Sequence, residues 1–348
     1  MTTLVSIVFV LALLISGFLN RTITVDNPME KKLTSSLRGI LAIVIVMFHL
    51  SQKISDGSLF SVFGSMGYLV VACFYLISGY GLMSRFEISG GGGYLHNFIK
   101  HRVGRIVIPW IIVSCLYGAY YWIIGGKEQL LDVITRKQNG FLVIQNSWFI
   151  VAIAVFYCFF YVAFKFMKVN DLVAILTVFV LCCVYCVVCY IIGLGVWWYY
   201  SSWTFSMGML LKKYDFEINI FLKKHYYPCL LLTSFFFVMC YAIRIINSKC
   251  IHFEFIYILC GLIASALFSC LMVEVSSKIS FSNKIWSFLG DISIEIYLIH
   301  ELVFTILRSS WVYVISDGLY VILTIMISIG LAYALHMVFG RLFKIMKI

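Results

Sequence analysis

The chain has 348 residues, of which 63% are hydrophobic and 12% charged, with three prolines and a formal net charge of +11. So apolar a balance excludes a soluble globular domain and places the chain among polytopic membrane proteins. The positive charge is mainly a topology signal and gives no argument for nucleic-acid binding, although it would also attract anionic lipid head groups or a phosphate-bearing cosubstrate.

Apolar runs long enough to cross a hydrocarbon core of about 30 Å begin near residues 2–20. They continue near 37–53, 64–85, 103–125, 146–166 and 171–192, then near 196–211, 226–246, 254–275, 285–307 and 318–340. The expected fold is an all-α membrane protein, a polytopic bundle of about eleven helices. No Lys or Arg precedes the opening run, whereas Arg21, Lys31 and Lys32 follow it, so it reads as a retained helix entering from outside rather than a cleaved signal. With the amino terminus outside, the threading leaves Lys53, Lys127, Arg136, Lys137, Arg244, Lys249 and Arg308 outside. The other nineteen of the 26 basic residues, Arg21 and Lys168 among them, fall on the cytoplasmic side. This asymmetry is what the positive-inside rule requires.

Residues 1–30 read as an additional helix with its linker and 31–348 as the main transmembrane domain, with no repeat period and no second domain. Ser89-Gly90-Gly91-Gly92-Gly93 reads as a flexible linker, because no Lys-Ser/Thr follows it to make a phosphate cradle. Cys182, Cys183, Cys186 and Cys189 recur at helical spacing without His or carboxylate among them, so they read as packing. Neither a metal nor a disulfide framework is implied.

Chemistry concentrates in the second run, where Arg38 and His49 stand eleven residues apart within an otherwise apolar stretch. An ionisable side chain at bilayer depth costs roughly 2.5 to 3.5 kcal/mol on insertion scales, so its retention points to a task. Eleven residues at 100° each put both side chains on one helix face, about 16 Å apart along the axis. Arg38 then sits at the inner rim and His49 lies past the bilayer centre. The pair suits a long cosubstrate whose anionic head stays inside, gripped by the guanidinium, while its reactive end reaches an imidazole able to move a proton. A snorkelling Arg and a His bonded to a neighbouring helix are the structural alternatives.

Ser36-Leu-Arg-Gly-Ile-Leu-Ala-Ile-Val-Ile-Val-Met-Phe-His49 resembles the first conserved helix of the membrane acyltransferase 3 family. Further segments are similar to that family's motifs in the same order: Phe74-Tyr-Leu-Ile-Ser-Gly-Tyr80, His101-Arg102-Val-Gly-Arg105-Ile-Val-Ile-Pro109, Asn146-Ser-Trp148, Phe205-Ser-Met-Gly208 and Leu289-Gly290-Asp-Ile-Ser293-Ile-Glu-Ile-Tyr297-Leu-Ile-His300. The resemblance covers about residues 32–340 and makes the opening helix an addition to a ten-helix core. It implies an O-acyltransferase that moves an acyl group, usually acetyl, from cytoplasmic acetyl-coenzyme A to a hydroxyl of an envelope polysaccharide or lipid-linked glycan, with no metal. It also implies residence in the bacterial cytoplasmic membrane.

On that basis Arg38 and His49 are the expected catalytic pair. Arg102 and Arg105 are expected cosubstrate contacts, with ordinary inside-positive anchoring as the alternative. Ser78 and Trp148 are expected to line the cosubstrate site, against close helix packing for Ser78-Gly79 and an interface anchor for Trp148. His300 should lie at about the depth of His49, and Tyr297, three residues before it, can bond an acceptor or orient the imidazole. Glu295 departs from the family pattern, and so does Val151-Ala152-Ile153-Ala154, which lacks the acidic residue often found there. A transporter or flippase that uses the same polar residues is the competing function, disfavoured by the absence of an inverted repeat or a Gly/Pro-interrupted helix pair. A catalytically inactive sensor or partner protein is a third.

Overall fold

A computed structural model describes residues 2–19, 27–54, 59–166, 170–314 and 316–348; Arg21 and Lys168 lie outside the described residues. The helices are α1 (Thr2–Leu19), α2 (Lys31–Ser51), α3 (Gly67–Ile88), α4 (Gly92–His96), α5 (Gly104–Ile134), α6 (Trp148–Phe166) and α7 (Asp171–Ile191). They continue with α8 (Trp203–Lys213), α9 (Asp215–Ile246), α10 (Glu254–Ser276), α11 (Lys284–Asp291), α12 (Ser293–Leu307) and α13 (Asp317–Met346). No strand occurs among the described residues.

Eight helices among the described residues are long and apolar enough to cross a membrane: α2, α3, α5, α6, α7, α9, α10 and α13. The sequence reading of eleven differs at three places. The opening run forms α1, apolar over Thr2–Gly17 and short of the length counted for a crossing among the described residues. The run near 196–211 is a 3-10 turn, Val196–Trp198, followed by the 11-residue α8. The run near 285–307 is broken at Ile292, where the backbone leaves helical geometry (φ −100°, ψ 14°), so α11 and α12 are separate helices. Asn283 starts α11 by accepting from the Trp286 amide at 2.8 Å, and the Ser293 hydroxyl donates to the Gly290 carbonyl at 2.8 Å across the break.

Burial separates centre from rim. In α2, 89% of the spanning window is buried inside the protein, whereas in α9 only 6% is. The apolar surface of α9 therefore faces outward, as it must in a bilayer, and α2 is the axis of the bundle.

Two backbone crossings fix that axis. A Cβ added at Gly39 of α2 would lie 2.0 Å from the Trp286 carbonyl of α11, and one added at Gly290 would lie 1.8 Å from the Ser35 carbonyl of α2. The second crossing joins α3 and α8, where a Cβ added at Gly79 would lie 1.9 Å from the Phe205 carbonyl and one added at Gly208 would lie 2.0 Å from the Leu76 carbonyl. Small residues that let backbones touch drive helix association where lipid removes the hydrophobic term. The Ser78-Gly79 segment and the Phe205–Gly208 segment, distant in sequence, thus meet in one interface.

Polar contacts collect at the two ends of the bundle. At the Arg38 end Lys212 bridges Asp215 (2.7 Å) and Glu87 (3.3 Å), and Arg105 reaches Ile348. At the His49 end Arg136 pairs with Asp132 at 2.6 Å, and Arg308 pairs with Asp317.

At Gly39 and Gly290 the obstructing atoms are backbone, so no rotamer change relieves a new methyl group. Gly39→Ala and Gly290→Ala should each destabilise the protein by about 3 kcal/mol or more, read as a lower unfolding temperature in detergent. Gly118→Ala, where an added Cβ meets nothing within 4 Å, should leave that temperature unchanged.

Candidate active site

Arg38 immediately precedes Gly39 of the crossing, beside a polar seam between α2 and α11. Ser35 donates to Asp291 at 3.0 Å, and the hydroxyls of Ser36 and Ser287 are 2.8 Å apart. The Arg38 guanidinium faces Asp291 and Tyr157, and its Nε is buried without a hydrogen-bond partner. It opens onto a cavity of about 100 Å³, which we call the Arg38 cavity, whose polar lining also includes Ser78, Tyr157 and Ser293. Ser78 stands beside Tyr157 in this lining.

The two other predicted cosubstrate arginines part company. Arg102 sits in a π-helical turn, Ile99–Val103, ahead of α5. Its guanidinium carbon lies 5.5 Å from the centre of the Tyr94 ring, and its charge acts on Tyr157 together with that of Arg38. Arg105 starts α5 on the exposed side and donates to the Ile348 carbonyl at 2.9 Å. The wider π turn separates two side chains that a regular helix would have kept adjacent.

His49 is 5% exposed and opens onto a second cavity of about 270 Å³, the His49 cavity, lined by Gln52, Asn139, Asn146, Trp148 and Trp197 among others. The two cavities share Ile45, Val71 and Tyr297 as wall residues. Gln52, one turn beyond His49, faces its ring, and Nδ1 of His49 is buried without a partner. Trp148 thus lines the His49 cavity rather than the cavity that holds Arg38 and Ser78.

His300, on α12, is fully buried, with its ring centre 5.1 Å from that of His49 and the planes tilted by 30°. The equal depth expected for these two imidazoles is therefore a direct ring contact. Nδ1 of His300 lies 3.1 Å from the Ile296 carbonyl; a carbonyl only accepts, so this nitrogen carries the proton and leaves the lone pair on Nε2. Nε2 is buried without a hydrogen-bond partner.

Tyr297 does not bond the imidazole. Its hydroxyl donates to the Asn146 carbonyl, while its ring packs 5.9 Å from His300 and edge-on to Phe149 at 5.3 Å. One turn on, the carboxylate of Glu301 accepts from the Asn146 amide at 3.2 Å. Both backbone groups of Asn146 are thus held by α12. Glu295 turns the other way and pairs with His336 of α13 at 2.9 Å, remote from His49 and His300.

Sequence reasoning missed Tyr157, Gln52, Asn139 and Trp197. Gln52 was within reach, three residues after His49 on the same helix. Asn139 and Trp197 lie in loops that carry no periodic signal.

The chain matches the family model described as an acyltransferase domain over residues 35–337. No curated protein and no solved structure matches it. A match across so much of the chain, on a helical bundle with its polar residues gathered along α2 and α12, settles the lineage: this integral membrane protein belongs to the membrane acyltransferase 3 family.

Proposed function

We propose that the protein transfers an acetyl group from acetyl-coenzyme A to a hydroxyl of an envelope polysaccharide or lipid-linked glycan, in the bacterial cytoplasmic membrane. The observation that carries this reading is the pair of adjoining cavities, one holding Arg38 and the other His49, which share Ile45, Val71 and Tyr297. A cosubstrate with an anionic head and a long arm fits that arrangement, with its phosphates at Arg38 and Arg102 and its thioester directed toward His49. Arg105, exposed and bonded to the Ile348 carbonyl, lines neither cavity and would meet the cosubstrate head only at the surface.

Arg38 neutralises phosphate through its forked donors. His49 takes the proton of the acceptor hydroxyl as that oxygen bonds the acyl carbon. The carbon–sulfur bond breaks with its electron pair remaining on sulfur, and His49 returns the proton to the thiolate. His300, in contact with His49, stabilises the imidazolium that forms between these steps, with Nε2 as its free lone pair. Tyr297 and Glu301 act as positioning residues, holding Asn146 and with it the start of α6 against the His49 cavity.

The same reading places the Arg38 end in the cytoplasm, in accord with the charge asymmetry of the sequence, and counts eleven crossings. Residues 284–307 span about 36 Å if both helices lie along the normal, and α1 adds the opening crossing. The crossing at α8 is completed by the turn before it, where Trp198, Tyr199, Tyr200, Ser201 and Ser202 are buried in protein. Irregular backbone is tolerated at membrane depth when protein surrounds it.

Membranes containing the protein, supplied with labelled acetyl-coenzyme A, should pass label to envelope glycan. His49→Ala should lower kcat by about 10²- to 10⁴-fold, the usual worth of a positioned acid–base group. Undiminished transfer in that variant rejects the mechanism, and movement of unmodified glycan without acetyl-coenzyme A favours a transporter. Arg38→Ala should raise the KM for acetyl-coenzyme A about tenfold or more, the loss of a charge-assisted hydrogen bond, with a smaller change in kcat. For the threading, a protease added outside spheroplasts should remove an amino-terminal tag and spare a carboxy-terminal one.

A further inference from the structure

The His49 cavity has a chemistry of its own. Its polar groups besides His49 are the amides of Gln52, Asn139 and Asn146 and the hydroxyls of Tyr68 and Tyr297, and its flat faces include the indoles of Trp148 and Trp197. No Asp, Glu, Lys or Arg lines it among the described residues. A volume of about 270 Å³ is on the scale of one sugar ring rather than of an oligosaccharide.

Two loops are built to present this surface. The Gln138 carbonyl accepts from the Trp198 indole and from the Gly195 amide, both at 3.1 Å, which ties the 137–140 turn to the 195–198 turn. Gly140 closes the first turn at φ +72°, and a Cβ there would meet the Trp198 ring at 2.5 Å. Asn139 and Trp197, one from each turn, are thereby fixed relative to one another at the cavity wall.

The charged residues near the cavity stand outside its lining. Glu301 is bonded to the Asn146 amide. Lys53 lies 5.8 Å from the Phe304 ring centre. Arg244 is caged by Tyr68, Tyr200 and Tyr257, with ring centres 4.6, 5.3 and 4.5 Å away, and donates to the Tyr257 hydroxyl at 2.8 Å. An anionic ring entering the cavity would lose its hydration without meeting a counter-charge in the lining. A neutral ring would meet indole faces for its C–H surface and amides, donor and acceptor at once, for its hydroxyls.

We infer that the His49 cavity is the acceptor subsite and that it selects an uncharged sugar ring, with Asn139 and Trp197 as specificity residues. The inference rests on the acyl-transfer reading and adds to it the charge class of the ring that is esterified.

The test uses wild-type membranes, labelled acetyl-coenzyme A and two probes that differ at one carbon, hexyl β-glucoside and hexyl β-glucuronide. Label should enter the glucoside at least about tenfold faster at equal low concentration, the factor that one unmade buried hydrogen bond or uncompensated charge brings. Asn139→Leu and Trp197→Ala should each raise the KM for the glucoside about tenfold while the KM for acetyl-coenzyme A stays where it is. Asn139→Lys should reverse the preference toward the glucuronide, a gain that damage to the fold cannot produce. Equal use of both probes by the wild type, or an Asn139→Lys variant that keeps the glucoside preference, overturns the selection while leaving acyl transfer standing. Consumption of acetyl-coenzyme A with neither probe labelled overturns the subsite. No consumption of acetyl-coenzyme A at all overturns the acyl-transfer reading, and the subsite with it.

Discussion

The backbone contact between α2 and α11 at Gly39 and Gly290 is the constraint from which the polar interior follows. Lipid offers helices no hydrophobic reward for associating, so contact must come from packing and hydrogen bonds. Here the reciprocal glycines bring two carbonyls to within 2.0 Å and 1.8 Å of where a Cβ would stand. The flanking serines add hydroxyl contacts at 2.8 and 3.0 Å to Ser287 and Asp291. Once α11 is seated against the amino-terminal half of α2, α12 must continue along the same helix, and the rings of His49 and His300 come together at 5.1 Å.

The break at Ile292 belongs to the same logic. A single straight helix through 284–307 would follow one line away from the crossing, whereas two segments let α11 press against α2 and α12 take its own angle. On the new line Tyr297, His300 and Glu301 face inward to the Asn146 turn and His49, while Glu295 faces α13 and His336. One short helix therefore holds a carboxylate for positioning a loop, an imidazole against His49, and a second carboxylate that serves only the α12–α13 interface.

Much of this was legible in the sequence because helical geometry is local. The spacing of Arg38 and His49 fixes their shared face, and the depth of His300 follows from counting residues from Lys284. The bundle class follows from the apolar runs. What resisted reading was set by tertiary contact. The π turn that separates Arg102 from Arg105 has no marker in His101-Arg102-Val-Gly-Arg105. The Tyr297 hydroxyl has a backbone partner 151 residues away, which no i,i+3 rule supplies. The runs near 196–211 and 285–307 are apolar enough to read as continuous spans, yet one starts in a buried turn and the other is broken by a contact with α2. Composition reports that a segment is buried and is silent on whether lipid or protein buries it.

The wall between the two cavities decides how acyl chemistry can work here. Ile45 and Val71 are aliphatic and offer nothing to a polar group, whereas Tyr297 touches both cavities and is tied through its hydroxyl to Asn146, itself part of the His49 cavity. The partition between the cavities is thus two aliphatic side chains and one tyrosine ring. A charge held against it would bear the full cost of desolvation. Arg38 and His49, about 16 Å apart along the axis of α2 by helical rise, thus open onto two separate cavities divided by Ile45, Val71 and Tyr297.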